Sequence, residues 1–312
     1  MSMTLKQMRY ALAVAEEGHF GRAAQRCHVT QPALSQQIRL LEETAGRALF
    51  DRLAKSVRPT PFGREFLARV RRIVDAADEL DAFALSGAAH PTRPVRFGLI
   101  PTIAPYILPD LFPALARDAP GVEFAVNESR TDALLEGLER GEIDLAMIAT
   151  DPPKSAVRLT IEPLFADPFV LAASRGSSIE EPVDLASLSN RPMLLLEEGH
   201  CFRDQAIAAC GIRDDAARTF AATSLPTVVE LVASGQGVTL LPAISLRKEA
   251  TDPRIRICAL AAPGAGRMLS LAWREGSPYS ALFARIARTV RSTGLARLSE
   301  ALPERGAGQL PG

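Results

Sequence analysis

Residues 30–42 read Thr30-Gln31-Pro32-Ala33-Leu34-Ser35-Gln36-Gln37-Ile38-Arg39-Leu40-Leu41-Glu42, and they predict a helix with two unlike faces. Thr30 suits an N-cap, and Pro32 fits the first turn, where its missing N–H has no helical partner. Leu34, Ile38 and Leu41 stack on one side as core, which leaves Gln31, Pro32, Ser35, Gln36 and Arg39 on the other. That outward face matches what the DNA major groove presents, since Gln pairs bidentately with adenine and Arg with guanine, while Ser reaches phosphate.

Upstream, Leu5, Met8, Leu12 and Ala15 recur at helical spacing up to Gly18, and Phe20 to Arg26 makes a second helix with Phe20, Ala23, Ala24 and Cys27 turned inward. The second and third helices are spaced as in a helix-turn-helix. Downstream, Leu49 to Thr60 alternates apolar and basic residues around a turn, predicting a wing whose Arg52, Lys55 and Arg58 lie along phosphates. Residues 1–73 hold 13 Lys and Arg against 6 Asp and Glu, whereas the rest holds 23 against 30, in a chain of net charge zero. A basic amino-terminal module on a mildly acidic body suits nucleic acid at one end. His19 and Cys27 read as packing residues of this module.

Thr60 then caps a long helix beginning at Pro61, with apolar Phe66, Val70, Ile73, Ala77, Leu80 and Ala84 at intervals of 4, 3, 4, 3 and 4. This is a heptad seam that a lone helix cannot bury, so a second copy of the chain is expected against it. Gly87, Pro91 and Pro94 mark a hinge. Beyond it, short apolar strands alternate with helices: Val95 to Ile100, Ile103 to Arg117, Val122 to Asn127, Thr131 to Glu139 and Leu145 to Ala149. The alternation predicts an α/β body with a largely parallel sheet. A second set runs from Phe169 to Leu260, and Leu269 to Trp273 with the helix Ser280 to Val290 returns to the first. Two such lobes make a cleft at strand ends and helix N-termini.

Residues 197–211, EEGHCFRDQAIAACG, carry two cysteines nine positions apart. Met193 to Leu196 reads as a buried strand and Phe202 to Ala209 as helix, which puts Cys201 at a helix start. Unpaired amides, the helix dipole and the neighbours His200 and Arg203 favour its thiolate. If the segment is helical, nine residues at about 1.5 Å separate the Cα atoms of Cys201 and Cys210 by roughly 13 Å. A disulfide needs about 4.4–6.8 Å, so joining them unwinds the helix, as a switch does. Spacing alone leaves open that both are ordinary buried residues. No CxxC or HxxxH partner lies nearby, so no metal and no cofactor is expected. Cys258, in the strand-like RIRICAL, reads as structural. No apolar run approaches the ~18 residues of a membrane span. The start resembles no signal peptide, and four cysteines make no extracellular framework, so a cytosolic chain with no membrane partner is expected.

The segment AEEGHFGRAAQRCHVTQPALSQQIRLLEETAGRALFDR, followed by RPTPFGREFL, resembles the winged helix-turn-helix of LysR-type transcriptional regulators. GLIPTIAPYILP, NESRTDALLEGLERGEIDLAMIA, LLLEEGHCFRDQAIAACG, ATSLPTVVELVASGQGVTLLPA and WREGSPYS resemble the peroxide-sensing branch of that family, GHCxRDQ most specifically. The resemblance implies a winged helix-turn-helix head at 1–60, a dimerising linker helix at 61–90 and a two-lobed α/β regulatory domain similar to periplasmic binding proteins. Its lobes would be 93–165 with 268–302, and 166–267 with the redox cysteines. It further implies that Cys201 attacks hydrogen peroxide and Cys210 resolves the product, with Thr102, Thr131 and His200 lining the pocket, Arg203 supporting the thiolate and Asp204 ordering the polar network. The implied partners are dyad-related double-stranded DNA, hydrogen peroxide, a second dimer of the same chain, RNA polymerase, and a thiol reductant such as glutaredoxin or thioredoxin. No enzymatic activity is implied. Where that branch commonly shows HFRATSLET, this chain has Thr219 to Thr227 without the His and the Arg. The rival reading is a LysR-type regulator whose inter-lobe cleft takes a small organic anion.

Overall fold

Caps decide where the helices of the head begin and end. The computed structural model describes residues 2–53, 56–86, 91, 93–150, 158–188, 191–211, 220–261 and 265–302. Helix α1 (Leu5–Glu17) opens on Thr4, whose hydroxyl accepts from the Gln7 amide while the Gln7 side chain accepts from the Thr4 amide, and it closes on Gly18 at φ 59°. Helix α2 (Phe20–Arg26) opens on His19, whose Nδ1 accepts from the Gly21 and Arg22 amides at 2.9 and 3.4 Å. His19 is therefore an exposed cap and not the packing residue expected, because its ring nitrogen meets amides that the helix leaves without partners. Helix α3 (Gln31–Ala45) opens on Thr30, with Pro32 in its first turn. Leu34, Ile38 and Leu41 are wholly buried in one core with Ala11, Val14, Phe20 and Ala23. The wing is the antiparallel pair β1 (Phe50–Leu53) and β2 (Ser56–Pro59).

Helix α4 (Pro61–Ser86) starts where Thr60 Oγ1 accepts from the Gly63 amide at 2.8 Å. Its expected seam divides in two. Val70 is 2% exposed and lies in the head's own core with Leu67 and Val74, and Phe66 packs partly against that core, because α1 offers this end of the helix an apolar face. Val70 is thus not on a free face. Ile73 and Leu80, at 49% and 67% exposed, are, with Ala77 half-buried between them. Gly87 and the side chain of Ala84 lie outside the described residues.

Contacts divide the chain into two units, the first running to Pro94 and including Glu136–Ile143, the second holding the rest. Along the body come β3 (Val95–Leu99), α5 (Ala104–Asp118), β4 (Phe124–Glu128), α6 (Thr131–Arg140), β5 (Leu145–Ile148) and β6 (Leu159–Ser174). They are followed by β7 (Leu194–Leu196), α7 (Cys201–Cys210), β8 (Phe220–Ala222), α8 (Leu225–Ala233), β9 (Thr239–Pro242), α9 (Leu246–Glu249), β10 (Ile255–Cys258), β11 (Gly266–Arg274) and α10 (Ser280–Ala301). The main sheet has the order β10-β6-β11-β5-β3-β4, with β9 also on β6. Among the described residues β3 with β4 and β3 with β5 are parallel in it and the other pairings are antiparallel, which corrects the expected largely parallel sheet.

The reason is β6, a single 16-residue strand that leaves the first lobe and enters the second, with β11 returning beside it. Pro163 and Pro168 conceal it in the sequence, since proline usually marks a strand's edge or end. The ladder passes from Phe165↔Leu269 to Pro163↔Ser270, so Leu164 is taken up as a bulge beside the proline. β7 and β8 form a separate parallel pair, and β7 is in contact with α7. Among the described residues no helix is long and apolar enough to cross a membrane.

A Cβ at Gly63 would stand 2.0 Å from the Leu49 carbonyl oxygen, which already accepts the Thr60 amide at 2.9 Å. A bonded backbone oxygen cannot step aside as a side chain can. Gly63→Ala is expected to cost the head about 1–3 kcal/mol, read as a lower Tm, and to weaken retention on DNA.

Candidate functional site

Three segments of the second unit enclose one small cavity: Ile100 to Thr102 after β3, Arg130 and Thr131 at the start of α6, and Gly199 to Phe202 at the start of α7. Its volume is about 10 Å³, room for roughly one water-sized molecule. Thr102, Thr131, His200 and Cys201, far apart in the chain, thus share one wall. Two helix N-termini, those of α6 and α7, meet there and turn their positive dipole ends toward it. Gly199 is favoured by its φ of +89°, and a Cβ there would displace the Arg130 guanidinium, whose nitrogen would lie 2.6 Å away.

The polar groups around this space are differently prepared. Thr131 Oγ1 is buried with no hydrogen-bond partner among the described residues, a donor and acceptor left for an occupant of the cavity. His200 is 8% exposed and makes no side-chain cap. Burial, helped by the Arg130 cation and opposed by Glu197, holds its imidazole below the usual range, so it is neutral at pH 7 and offers one donor and one acceptor. Cys201 is half-buried at the first position of α7. Arg203 and Asp204 are not in the lining. Arg203 Nη1 donates to the Leu196 carbonyl at 3.2 Å, and Asp204 is exposed in the first turn of α7.

The residues behind the wall were not expected from the sequence. Arg267 on β11 donates from Nε to Asp167 Oδ2 at 3.0 Å, from Nη1 to Thr102 Oγ1 at 2.7 Å and from Nη2 to the Thr102 carbonyl at 3.0 Å. Its guanidinium carbon stands 5.4 Å from the centre of the Phe202 ring, which meets Phe169 edge-on at 5.2 Å. Asp167 and Arg267 are 100 positions apart and belong to no motif, so nothing in the sequence joins them. Arg130 and Gly199 could have been found, one adjacent to Thr131 and the other at the break after an apolar strand. Gln205 Nε2 also donates to the Ala149 carbonyl at 2.7 Å, tying α7 to the end of β5.

Helix α7 is unbroken from Cys201 to Cys210, and all four cysteines are free thiols. Phe202, Ala206 and Cys210 form its buried face. Burial pushes the Cys210 thiol up from 9.0 to about 11. Cys258 is wholly buried on β10, and Cys27 is half-buried at the C-cap of α2. Among the described residues no group of three or more His, Cys, Asp or Glu is placed to hold a metal ion. In the head, Gln31, Pro32, Gln36 and Arg39 are exposed on α3 with Ser35 half-buried, and Arg58 is exposed on β2. Arg52 lies on β1, but its side chain, like Lys55 and Thr219, lies outside the described residues.

A head that puts a polar helix face outward, joined to a two-lobed α/β body with a cavity at helix N-termini, is the build of a ligand-responsive DNA-binding regulator. Residues 5–64 match the bacterial regulatory helix-turn-helix protein family, lysR family, and residues 88–294 match the LysR substrate binding domain. The chain belongs to the LysR-type transcription regulators and is not an enzyme. It is similar to the hydrogen peroxide-inducible genes activator of Pectobacterium carotovorum subsp. carotovorum, 36% identical over 294 residues that cover 93% of this chain and 96% of that one. Among solved structures it is similar to full-length OxyR from Pseudomonas aeruginosa, in a cysteine-to-aspartate variant, at 34% identity and TM-score 0.82 over 93% of this chain and 95% of that one. A cysteine-to-serine variant of Corynebacterium glutamicum OxyR, bound to hydrogen peroxide, aligns at 30% identity and TM-score 0.65 over 96% of this chain and 95% of that one.

Phe202 anchors the start of α7, so Phe202→Ala is expected to cost about 3–5 kcal/mol, measured by denaturant unfolding, and to speed hydrogen exchange in α7. The Cys210 thiol gives a pH test. Between about 9 and about 11 an unwound α7 releases this proton while the folded helix keeps it, so helix stability falls as pH rises through that window. Protection factors in α7, in which the base-catalysed rise of intrinsic exchange is divided out, should fall there in the parent chain and hold in Cys210→Ala.

Proposed function

We propose that this chain is a transcription regulator that responds to hydrogen peroxide through Cys201, with Cys210 as the resolving thiol. The observation that carries this reading is the shared cavity, in which a half-buried thiol faces the unpartnered Thr131 hydroxyl, Thr102 and neutral His200. The names of the similar proteins, peroxide-inducible activators and OxyR, support it.

The Cys201 thiolate attacks one peroxide oxygen; an S–O bond forms, the O–O bond breaks, and sulfur gives up two electrons. The departing hydroxide takes a proton and leaves as water, steadied by hydroxyl donors and helix amides. The sulfenic acid is then attacked by Cys210 sulfur; the S–S bond forms, the S–O bond breaks, and a second water leaves. The second step waits on the helix. With the Cα atoms roughly 13 Å apart along α7 and the Cys210 thiol held protonated by burial, resolution requires α7 to unwind. Unwinding also releases Gln205 from Ala149 and Phe202 from Phe169, which changes how the lobes are held. A small organic anion needs far more room than about 10 Å³.

The signal reaches double-stranded DNA through the head, where Gln31, Pro32, Ser35, Gln36 and Arg39 face the major groove and Arg52, Lys55 and Arg58 the phosphates. Ile73, Ala77 and Leu80 on α4 pair with a second copy, and two such dimers bind one extended dyad site. RNA polymerase reads the rearranged heads, and a glutaredoxin- or thioredoxin-type reductant resets the thiols.

Peptide mapping without reductant, after less than one equivalent of peroxide, should find a Cys201 to Cys210 link and lose it in Cys201→Ser. Modification confined to Cys27 or Cys258 rules the scheme out. Arg39→Ala should weaken specific DNA binding by about 1–3 kcal/mol while nearly sparing non-specific binding.

A further inference from the structure

We infer that Asp167, which does not line the cavity, is a positioning residue for the reaction of Cys201 with peroxide: through Arg267 it turns Thr102 into a fixed hydrogen-bond donor. The inference rests on the peroxide reading above. Its basis is the direction of the bonds. Arg267 can only donate, so the 2.7 Å contact from Nη1 occupies a lone pair of Thr102 Oγ1, and the hydroxyl proton of Thr102 points elsewhere. Thr102 is 3% exposed and lines the cavity, so that space is where its O–H can be used. The second bond, from Nη2 to the Thr102 carbonyl, grips the same residue at its backbone and holds the hydroxyl in one rotamer.

Arg267 holds this pose because Asp167 fixes it. Both side chains are 0% exposed in their ion pair, and a guanidinium in such a place needs every N–H engaged and its charge matched. Asp167 is itself held from the other side, its Oδ1 accepting the Ile244 amide at 2.9 Å. The chain of constraint runs from Ile244 through Asp167 and Arg267 to Thr102, and ends at the oxygen that leaves when the peroxide bond breaks. Donation to a departing hydroxide assists cleavage of O–O; it gives little to displacement of iodide, which is a poor hydrogen-bond acceptor.

The test uses the full chain and two reagents at one pH, hydrogen peroxide and iodoacetamide, with second-order rates followed at Cys201. Asp167→Asn should slow the peroxide reaction by about tenfold or more while the iodoacetamide rate stays within about twofold. If the two rates fall together, or neither falls, the inference is overturned. Should Asp167→Asn fail to fold, Arg267→Lys decides, since lysine keeps the charge opposite Asp167 but cannot serve three acceptors at once. It should show the same selective loss, and an unchanged ratio of rates overturns the inference. In a Thr102→Val background, Asp167→Asn should add less than twofold; a full additional loss would mean that Asp167 acts by another route. A parent chain no faster with peroxide than free cysteine would instead remove the peroxide reading itself, and this inference with it.

Discussion

A guanidinium cut off from water is among the most demanding groups a protein can hold, and the body of this chain is arranged around one. Arg267 satisfies its nitrogens with Asp167 and with the hydroxyl and carbonyl of Thr102, while its guanidinium carbon stands 5.4 Å over the Phe202 ring. Burial pushes the Asp167 carboxyl up, and the Arg267 charge and the Ile244 and Ala243 amides oppose that rise. These contacts draw together β6, β11, the segment after β3, the turn after β9 and the start of α7. Removing either charge would strand the other, at a cost that makes the network all-or-none.

That network also sets the state of α7. The helix is docked through Phe202, between Arg267 and Phe169, and through Gln205 on Ala149. Its two thiols consequently live in unlike places. Cys201 is half-buried at the cavity, and Cys210 is sealed on the inner face with its proton retained. A regular helix keeps them apart, so any bond between them has to be preceded by loss of that helix and of the contacts that tie it to both lobes. Helical geometry would thus couple any chemistry that joined the two sulfurs to the state of α7.

In the head the same economy of surfaces is visible on α4. A heptad pattern describes where apolar residues fall, but not which neighbour covers them. Val70 joins Leu67 and Val74 against the head, and among the described residues Ile73 and Leu80 remain uncovered. The intrinsic period of the helix allows both faces, and the presence of α1 decides between them.

Local physics was legible in the residues themselves. Thr30, Pro32 and the Leu34, Ile38, Leu41 stripe set out α3; Gly18 ended α1; the alternation after Val95 laid out β3, α5, β4, α6 and β5 in turn. These are short-range effects of capping, backbone restriction and periodic burial, which a sequence states directly. Resemblance to a family supplied Thr102, Thr131, His200 and Cys201 as a group. It could not supply the network behind them, because Asp167 and Arg267 meet only through the antiparallel pairing of β6 with β11, and β6 is masked by its prolines. Nor could it tell that His19 caps a helix and does not pack, which depends on where α2 starts. By itself the sequence determined which segments are helix or strand and which thiol opens a helix. Tertiary structure decided which distant polar groups share the wall of one cavity, because burial of a charge forces partners together that no local rule connects.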